Sequence, residues 1–170
     1  MTINGYDKTF EELVSQELPI FMNVISSEMK KNIPMDLFAR KGFGVVSICN
    51  ELGLENDLSG CYVMHQRGKP IYVGISRKVL FRLRQHVLGK THFDASLAYR
   101  MAAGVSPHDK TRAAAMESEK FHDEFLLAKE YIRGLDVAFV QIENPLALYV
   151  FEPYCSMKLG AAKWNKFETH

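Results

Sequence analysis

Residues 60–74 read GCYVMHQRGKPIYVG, two short β-prone runs on either side of a turn sequence. The first run is residues 60–65 and the second is residues 71–74, and both are rich in the β-branched and aromatic side chains that suit strands. Gly68 lies between them, where a hairpin loop needs a residue that tolerates an unusual backbone conformation. We therefore predict a β-hairpin here, with the other elements placed around it.

Helical spacing of apolar residues is found on both sides of the hairpin. It predicts helices over residues 9–32, 77–88, 95–103, 111–133 and 144–159. Pro19 should kink the first helix or begin a new one, and Pro153 should kink or restart the last. Residues 135–142 (LDVAFVQI) are apolar on both faces, which predicts a strand inside the sheet and not at its rim. Residues 35–58 are expected to be irregular or weakly helical.

The order of these elements is typical of an α+β fold, in which about three strands form a small antiparallel or mixed sheet flanked by helices. A chain of 170 residues is too short for two ordinary domains. We therefore expect one compact domain overall. Within it, residues 1–57 should form a helical extension packed on a core of residues 58–170.

The composition argues against several classes of protein. The apolar runs are far shorter than the roughly 20 residues needed to cross a bilayer, and the N-terminus lacks the basic and then apolar pattern of an export signal. Cys49, Cys61 and Cys155 each lie in apolar sequence, which favours reduced, buried thiols over disulfides or a zinc site. We therefore expect no membrane partner and a cytoplasmic location.

The formal net charge is only +1, so any attraction to nucleic acid must be local. Residues 58–93 contain no Asp or Glu, but they hold many cations, namely Arg67, Lys69, Arg77, Lys78, Arg82, Arg84 and Lys90. Phosphate contacts dominate nucleic-acid affinity and require clustered Lys and Arg. All of these except Arg82 are predicted to bind nucleic acid, and a solvated surface is the alternative.

A particular order of residues runs from the hairpin to the C-terminus. Gly60-Cys61-Tyr62 is followed by Tyr72-Val73-Gly74, and after these come Arg82, His86, Glu152 and Asn165. This set resembles the GIY-YIG nuclease family, in which paired hairpin tyrosines precede an arginine, a histidine or tyrosine, a metal-binding glutamate and an asparagine. The resemblance covers about residues 60–167. Ile75 stands where repair-type relatives often carry a basic residue, which favours a restriction-like or stand-alone branch.

The resemblance implies an endonuclease that hydrolyses DNA, most often double-stranded, and that forms a homodimer if it cuts both strands. Tyr62 would position or deprotonate the attacking water. A phenol with an ordinary pKa of about 10 is a weak base at neutral pH, so nearby cations must favour its tyrosinate form. Arg82 would bind the phosphate oxygens, and Glu152 would hold a single Mg²⁺ or Mn²⁺.

The other members of the set have less definite roles. Tyr72 is expected to orient its neighbours by hydrogen bonding, and Asn165 to tie the C-terminal segment to the site. His86 could donate to phosphate, relay a proton or lie at the solvated helix surface. Gly74 would let the backbone approach phosphate or turn sharply, and His92 is a supporting candidate.

Alternatives remain for the roles and for the function. Tyr62 could be an ordinary strand aromatic, Arg82 a surface salt-bridge partner and Glu152 a helix-capping acid. A catalytically inactive nucleic-acid-binding module of the same fold would keep the basic residues, but it would not need these three together. An enzyme with Cys61 or Cys155 as its nucleophile would need an adjacent base, and both cysteines lie in apolar runs.

Overall fold

A computed structural model describes residues 3–167 of the chain. The helices in this range are α1 (Phe10–Glu12), α2 (Leu18–Glu28), α3 (Val45–Leu52), α4 (Val79–Leu88), α5 (Ser96–Val105), α6 (Arg112–Met116), α7 (Glu119–Arg133) and α8 (Pro145–Leu159). The strands are β1 (Ile33–Pro34), β2 (Gly60–Gln66), β3 (Lys69–Ser76) and β4 (Asp136–Gln141). A π-helical segment covers Leu13–Glu17, and 3-10 segments cover Met29–Lys31 and Met35–Ala39.

The described residues group into two compact units. The first, here called the sheet unit, contains residues 3–33, 56–79 and 136–167, and the second, the helical unit, contains residues 34–55 and 80–135. Each unit takes residues from both sides of the boundary that the sequence suggested after position 57. The expected division into an N-terminal extension and a core stays a prediction.

The strands form one sheet in the order β1-β4-β2-β3. β2 pairs antiparallel with both β4 and β3. The chain therefore has an α+β fold with a four-stranded sheet flanked by helices, where the sequence predicts about three strands. The additional strand is β1, whose two residues are too few to show an alternating pattern. β4 lies between two other strands, so its predicted place inside the sheet is confirmed.

The predicted hairpin is present, and its strands are longer than expected. β2 extends to Gln66 and β3 begins at Lys69, which leaves a two-residue loop between them. Arg67 has a φ of 50° and Gly68 a φ of 80°. Positive φ at both central residues is the requirement of a type I′ turn, whose twist matches that of the flanking strands.

Pro19 interrupts the N-terminal helical region and changes its winding. The prediction over residues 9–32 is largely confirmed, because helical segments follow one another from Phe10 to Lys31. Proline lacks an N–H group, and its ring crowds the carbonyl four residues earlier. A wider π-helical turn, closed by the Leu18 N–H group donating to the Leu13 carbonyl, stands immediately before it.

The core of the sheet unit lies on one face of the sheet, where α2 and α8 pack. We call this the core face. The buried residues that the strands and the two helices contribute to this core include Cys61, Val63, Val73, Ala138, Val140, Leu18, Ile25, Leu148, Phe151 and Cys155. Burial of each large side chain contributes about 1.5–3 kcal/mol. Because strand side chains alternate between faces, Tyr62 and Met64 of β2 lie on the opposite face.

α8 is one helix that contains Pro153, so the predicted restart at this proline is wrong. The side chain of Asn144 caps its first turn by accepting hydrogen bonds from two main-chain N–H groups, at 2.9 and 3.1 Å. Phe151 and Cys155, on either side of the proline, are both fully buried in the core of the sheet unit. Their packing offsets the roughly 3 kcal/mol that an internal proline costs a helix.

The helical unit corrects two further predictions. α3 is a regular helix that ends at Leu52 and is capped by Gly53, which has a φ of 68°, where residues 35–58 were expected to be irregular or only weakly helical. The single helix predicted over residues 111–133 is divided into α6 and α7. Ser118 has an extended backbone at the division, and its carbonyl accepts the N–H group of His122. Serine is a preferred N-cap residue, so this position carried a signal for a helix start.

Two expectations from composition can be compared with the structure. All three cysteines are buried free thiols, as predicted. Between residues 3 and 167, no helix has the length and apolar character that crossing a membrane would require.

Candidate functional site

The structure brings the two hairpin tyrosines together on the face opposite the core face. Tyr62 pairs across the strands with Gly74, and Met64 pairs with Tyr72, so the tyrosines stand diagonally on adjacent strands. Their ring centroids are 6.2 Å apart, and the ring planes are inclined by 59°. Tyr62 is 1% exposed and Tyr72 is 8% exposed. Both phenols are therefore largely withdrawn from bulk solvent.

Gly74 provides the space in which the Tyr62 ring lies. A Cβ atom at Gly74 would be 2.4 Å from Tyr62 Oη and 2.5 Å from its Cζ. Both distances are far below any normal van der Waals contact. The glycine is needed because a tyrosine ring covers it, which differs from the expected approach of phosphate or a sharp turn.

Asn165 binds the main chain between Tyr72 and Gly74. The Val73 N–H group donates to Asn165 Oδ1 at 2.9 Å, and Asn165 Nδ2 donates to the Val73 carbonyl at 2.6 Å. β3 lies at the edge of the sheet, where main-chain groups lack a neighbouring strand. The amide of Asn165 takes the place of that strand and holds this part of β3 from outside.

Glu152 lies in α8 and is half-buried. Burial raises the pKa of the Cys61 thiol, and the contact with Cys155 and the charge of Glu152 raise it further. The Glu152 carboxylate is therefore close enough to β2 to act electrostatically on one of its residues. Alternation along β2 puts Cys61 on the core face and Tyr62 on the other.

The residues near Glu152 allow only a sparse metal site. Within residues 3–167, there is no group of three or more His, Cys, Asp or Glu side chains that could hold a metal ion. The neighbouring thiols of Cys61 and Cys155 are soft donors that Mg²⁺ does not favour. One carboxylate is enough where water and phosphate oxygens fill the remaining positions. Glu152 can supply that carboxylate, but the helix that carries it packs on the core face, whereas Tyr62 lies on the opposite face of the sheet.

In the helical unit, Arg82 anchors the loop that follows α4. Its Nη1 donates to the Asp94 carbonyl at 2.8 Å and to Gln85 Oε1 at 3.0 Å. Its Nη2 donates to Ser96 Oγ at 2.7 Å. The guanidinium is half-buried and holds the chain between α4 and α5. All three of these acceptors are uncharged, so the contacts found within residues 3–167 differ from the surface salt bridge that was the alternative for Arg82.

His86 is completely buried in α4, so the expected alternative of a solvated helix surface is wrong. Burial lowers the pKa of its imidazole well below the ordinary value, and the charges of Arg82 and Arg100 act in the same direction. The ring is therefore neutral near pH 7 and adds no positive charge. Arg100 was missed from the sequence, although a lone charged residue in the apolar helix α5 was the available signal.

The basic residues that precede and follow β3 are far apart. Arg67 and Lys69 lie at the turn of the hairpin, whereas Arg77 and Lys78 follow the other end of β3. Eight residues of extended strand span about 26 Å. The acid-free segment is thus one cluster in sequence, but in the sheet unit it supplies two separate pairs of cations.

The other basic candidates lie in the helical unit. The guanidinium of Arg84 donates to the main-chain carbonyls of Phe38 and Phe43, which is a packing contact. Lys90 is exposed. The ring of His92 lies 4.0 Å from that of Phe93, centroid to centroid. Roles for these residues on nucleic acid stay predictions.

The chain matches no family model, no curated protein and no solved structure. The functional assignment therefore depends on the residues themselves and on the resemblance of their order to the GIY-YIG nucleases.

Proposed function

We propose that this chain is a metal-dependent endonuclease of the GIY-YIG type that hydrolyses phosphodiester bonds in double-stranded DNA. The observation that carries the proposal is the pair of Tyr62 and Tyr72, with Gly74 leaving room for the Tyr62 ring. Ile75 favours a restriction-like or stand-alone branch, and a homodimer would serve if both strands are cut. We also propose a cytoplasmic location, because reduced thiols such as these three are typical of that compartment.

Hydrolysis of a phosphodiester needs an activated water, positive charge at the phosphate and a stabilised leaving oxygen. In the proposal, Tyr62 holds the water and takes its proton, which requires the tyrosinate form, and Tyr72 orients it. By the resemblance, Arg82 would bind the phosphate oxygens and supply positive charge to them. His86, being neutral, can donate an N–H group or accept a hydrogen bond, but its lowered pKa makes it a poor proton acceptor.

Glu152 is the residue that would hold Mg²⁺ or Mn²⁺, with water and substrate oxygens as the other ligands. When bound, the ion would supply positive charge to the phosphate and the leaving oxygen. The carboxylate is the part that this chain contributes, and its negative charge is what a test must remove.

Plasmid cleavage in Mg²⁺, in Mn²⁺ and in a chelator tests the proposal. Tyr62→Phe removes one hydroxyl and Glu152→Gln removes one charge, and each should lower the cleavage rate about 100-fold or more. Tyr131→Phe and Glu55→Gln are matched controls, because both side chains are exposed in the helical unit. These controls should cleave at the wild-type rate.

Unchanged cleavage by both Tyr62→Phe and Glu152→Gln would overturn the assignment. Arg82→Ala should also lower the rate, but it removes three hydrogen bonds, two of which hold the chain that follows α4. Its thermal unfolding must therefore be measured alongside its activity. A folded Arg82→Ala variant of full activity would remove Arg82 from the mechanism.

One observation favours a second candidate, a catalytically inactive nucleic-acid-binding module. Three hydrogen bonds already give Arg82 a structural role, so its presence alone does not require chemistry. Such a module would shift duplex DNA in a gel without metal and would leave plasmid intact with Mg²⁺ or Mn²⁺. Metal-dependent cleavage would exclude it.

A cysteine enzyme is disfavoured on physical grounds. Cys61 and Cys155 are fully buried, and the raised pKa of Cys61 keeps its thiol protonated. A nucleophilic cysteine needs a lowered pKa, and burial has the opposite effect on Cys61. Thiol alkylation under native conditions should therefore leave plasmid cleavage unchanged.

A further inference from the structure

A pocket of about 890 Å³ opens in the sheet unit at the turn end of the hairpin. This volume falls within the range of small-molecule sites. Its apolar lining is formed by Met29, Pro70 and Leu159. Its charged side chains come from the 3-10 segment that follows α2, from the end of α8, from the hairpin turn and from the start of β4.

The pocket has an excess of positive charge. Lys30, Arg67 and Lys158 line it from three separate segments, and Asp136 is the carboxylate that lines it with them. Two helical segments also end here, and a helix C-terminus carries a partial charge of about −0.5. The three cations still leave a net positive charge of about one unit, after the carboxylate and both helix ends are subtracted. A concave surface of this kind attracts anions.

The pocket belongs to the core-face side of the sheet. The two strand partners of His65, Pro70 on β3 and Asp136 on β4, both line it. β2 keeps its register with β4 through His65, so alternation puts His65 on the core face and Tyr62 on the opposite face. A ligand in this pocket is therefore distinct from a phosphate that Tyr62 would approach.

A buried hydrogen-bond donor lies next to the pocket. His65 is completely buried, and its Nδ1 accepts the N–H group of Gly68 at 3.4 Å. Burial lowers the pKa of His65, although the charge of Asp136 opposes this, so the neutral ring carries its proton on Nε2. Nε2 has no hydrogen-bond partner within residues 3–167. His65 does not line the pocket itself, but Gly68, Pro70 and Asp136, which are its hydrogen-bond and strand partners, all do.

We propose that this pocket binds a small phosphorylated ligand that carries hydroxyl groups, of the mononucleotide class. Lys30, Arg67 and Lys158 hold the phosphate. Its charge of about −1.5 to −2 balances three cations better than the single negative charge of a carboxylate ligand would. Asp136 accepts hydrogen bonds from the hydroxyl groups. The site is independent of the proposed nuclease activity. A nucleic-acid backbone also carries phosphate, and the test separates the two sources.

Calorimetric titration of the full chain with AMP, adenosine and inorganic phosphate tests the proposal. AMP should bind saturably, inorganic phosphate should compete with it, and adenosine should not bind. Lys30→Ala with Lys158→Ala should weaken AMP binding about tenfold or more. The control pair Lys41→Ala with Lys120→Ala removes the same charge from exposed positions outside the pocket and should have no effect. Asp136→Ala should weaken AMP but not inorganic phosphate.

A spectroscopic measurement locates the binding. The ring proton signal of His65 in an NMR spectrum, assigned with His65→Gln, should shift as AMP is added. Equal binding of AMP and adenosine, or equal AMP affinity in the two double variants, would overturn the proposal. The small ligand would also be wrong if AMP does not bind and Lys30→Ala with Lys158→Ala weakens only the binding of duplex DNA. The source of the phosphate would then be a nucleic acid.

Discussion

Asn165→Ala should release the main chain of β3 beside the paired tyrosines. The wild-type amide both accepts from the Val73 N–H group, at 2.9 Å, and donates to the Val73 carbonyl, at 2.6 Å. Alanine removes both bonds, and among residues 3–167 no strand lies on the outer side of β3 to replace them. A hydrogen bond of this kind contributes about 0.5–1.5 kcal/mol, so the two together contribute about 1–3 kcal/mol.

Native-state hydrogen exchange measures this loss where it occurs. A change of about 1–3 kcal/mol in local opening corresponds to exchange of the Val73 amide that is about 5- to 150-fold faster. The amide of Val63, on the inner strand β2, should keep its protection if the opening is confined to the edge of the sheet. Urea unfolding of the same variant then gives the global part of the change.

Two further variants test whether the loss of both Asn165 hydrogen bonds causes the faster exchange. Asn50→Ala removes an exposed asparagine from α3 and should change neither amide, which controls for the substitution itself. Asn165→Asp keeps the acceptor but puts an oxygen against the Val73 carbonyl, so it should also accelerate exchange of the Val73 amide. Wild-type protection of Val73 in Asn165→Ala would refute the argument that the amide replaces a strand.

Two other outcomes follow from the geometry. Gly74→Ala should destabilise the chain by about 1–3 kcal/mol in urea unfolding, because its Cβ would meet the Tyr62 ring at 2.4–2.5 Å. In Gly134→Ala the nearest atom would be 3.4 Å away, so an equal loss there would contradict this explanation. Burial and the hydrogen bond from its hydroxyl to Glu17 raise the pKa of Tyr6 from 10.0 to about 12. The stability that this shift contributes is present below pH 10 and lost between pH 10 and about 12, so Tyr6→Phe should lack that loss in unfolding curves measured across this range.

The parts of the fold that could be predicted from the sequence depend on neighbouring residues. The hairpin has its turn sequence within it, and the apolar residues on both faces of β4 suit a strand inside the sheet, between β1 and β2. β1 could not be predicted, because its two residues become a strand only through pairing with a distant segment. The division at Ser118 was missed because the helix-forming residues 112–117 (RAAAME) lead almost directly into the apolar stripe that begins at Phe121.

The same distinction applies to the candidate site. The diagonal pair of Tyr62 and Tyr72 follows from a hairpin in the right register, which the spacing of ten residues suggests. The need for Gly74 depends on the direction of the Tyr62 ring, which no local pattern gives. The cations of the phosphate pocket are distant in the chain, so counting charges along residues 58–93 finds only one of them.

Three candidate site residues, Asn165, Tyr62 and Gly74, meet at one short part of β3 and fix its position. β2 pairs with the strand on one side, Asn165 binds Val73 on the other, and the Tyr62 ring lies over Gly74. A catalytic group must be held to within about 0.5 Å of its working position. Asn165→Ala should therefore lower plasmid cleavage while Tyr62 itself is unchanged. Faster exchange of Val73 with unchanged cleavage would keep the structural role of Asn165 and count against catalysis at this face.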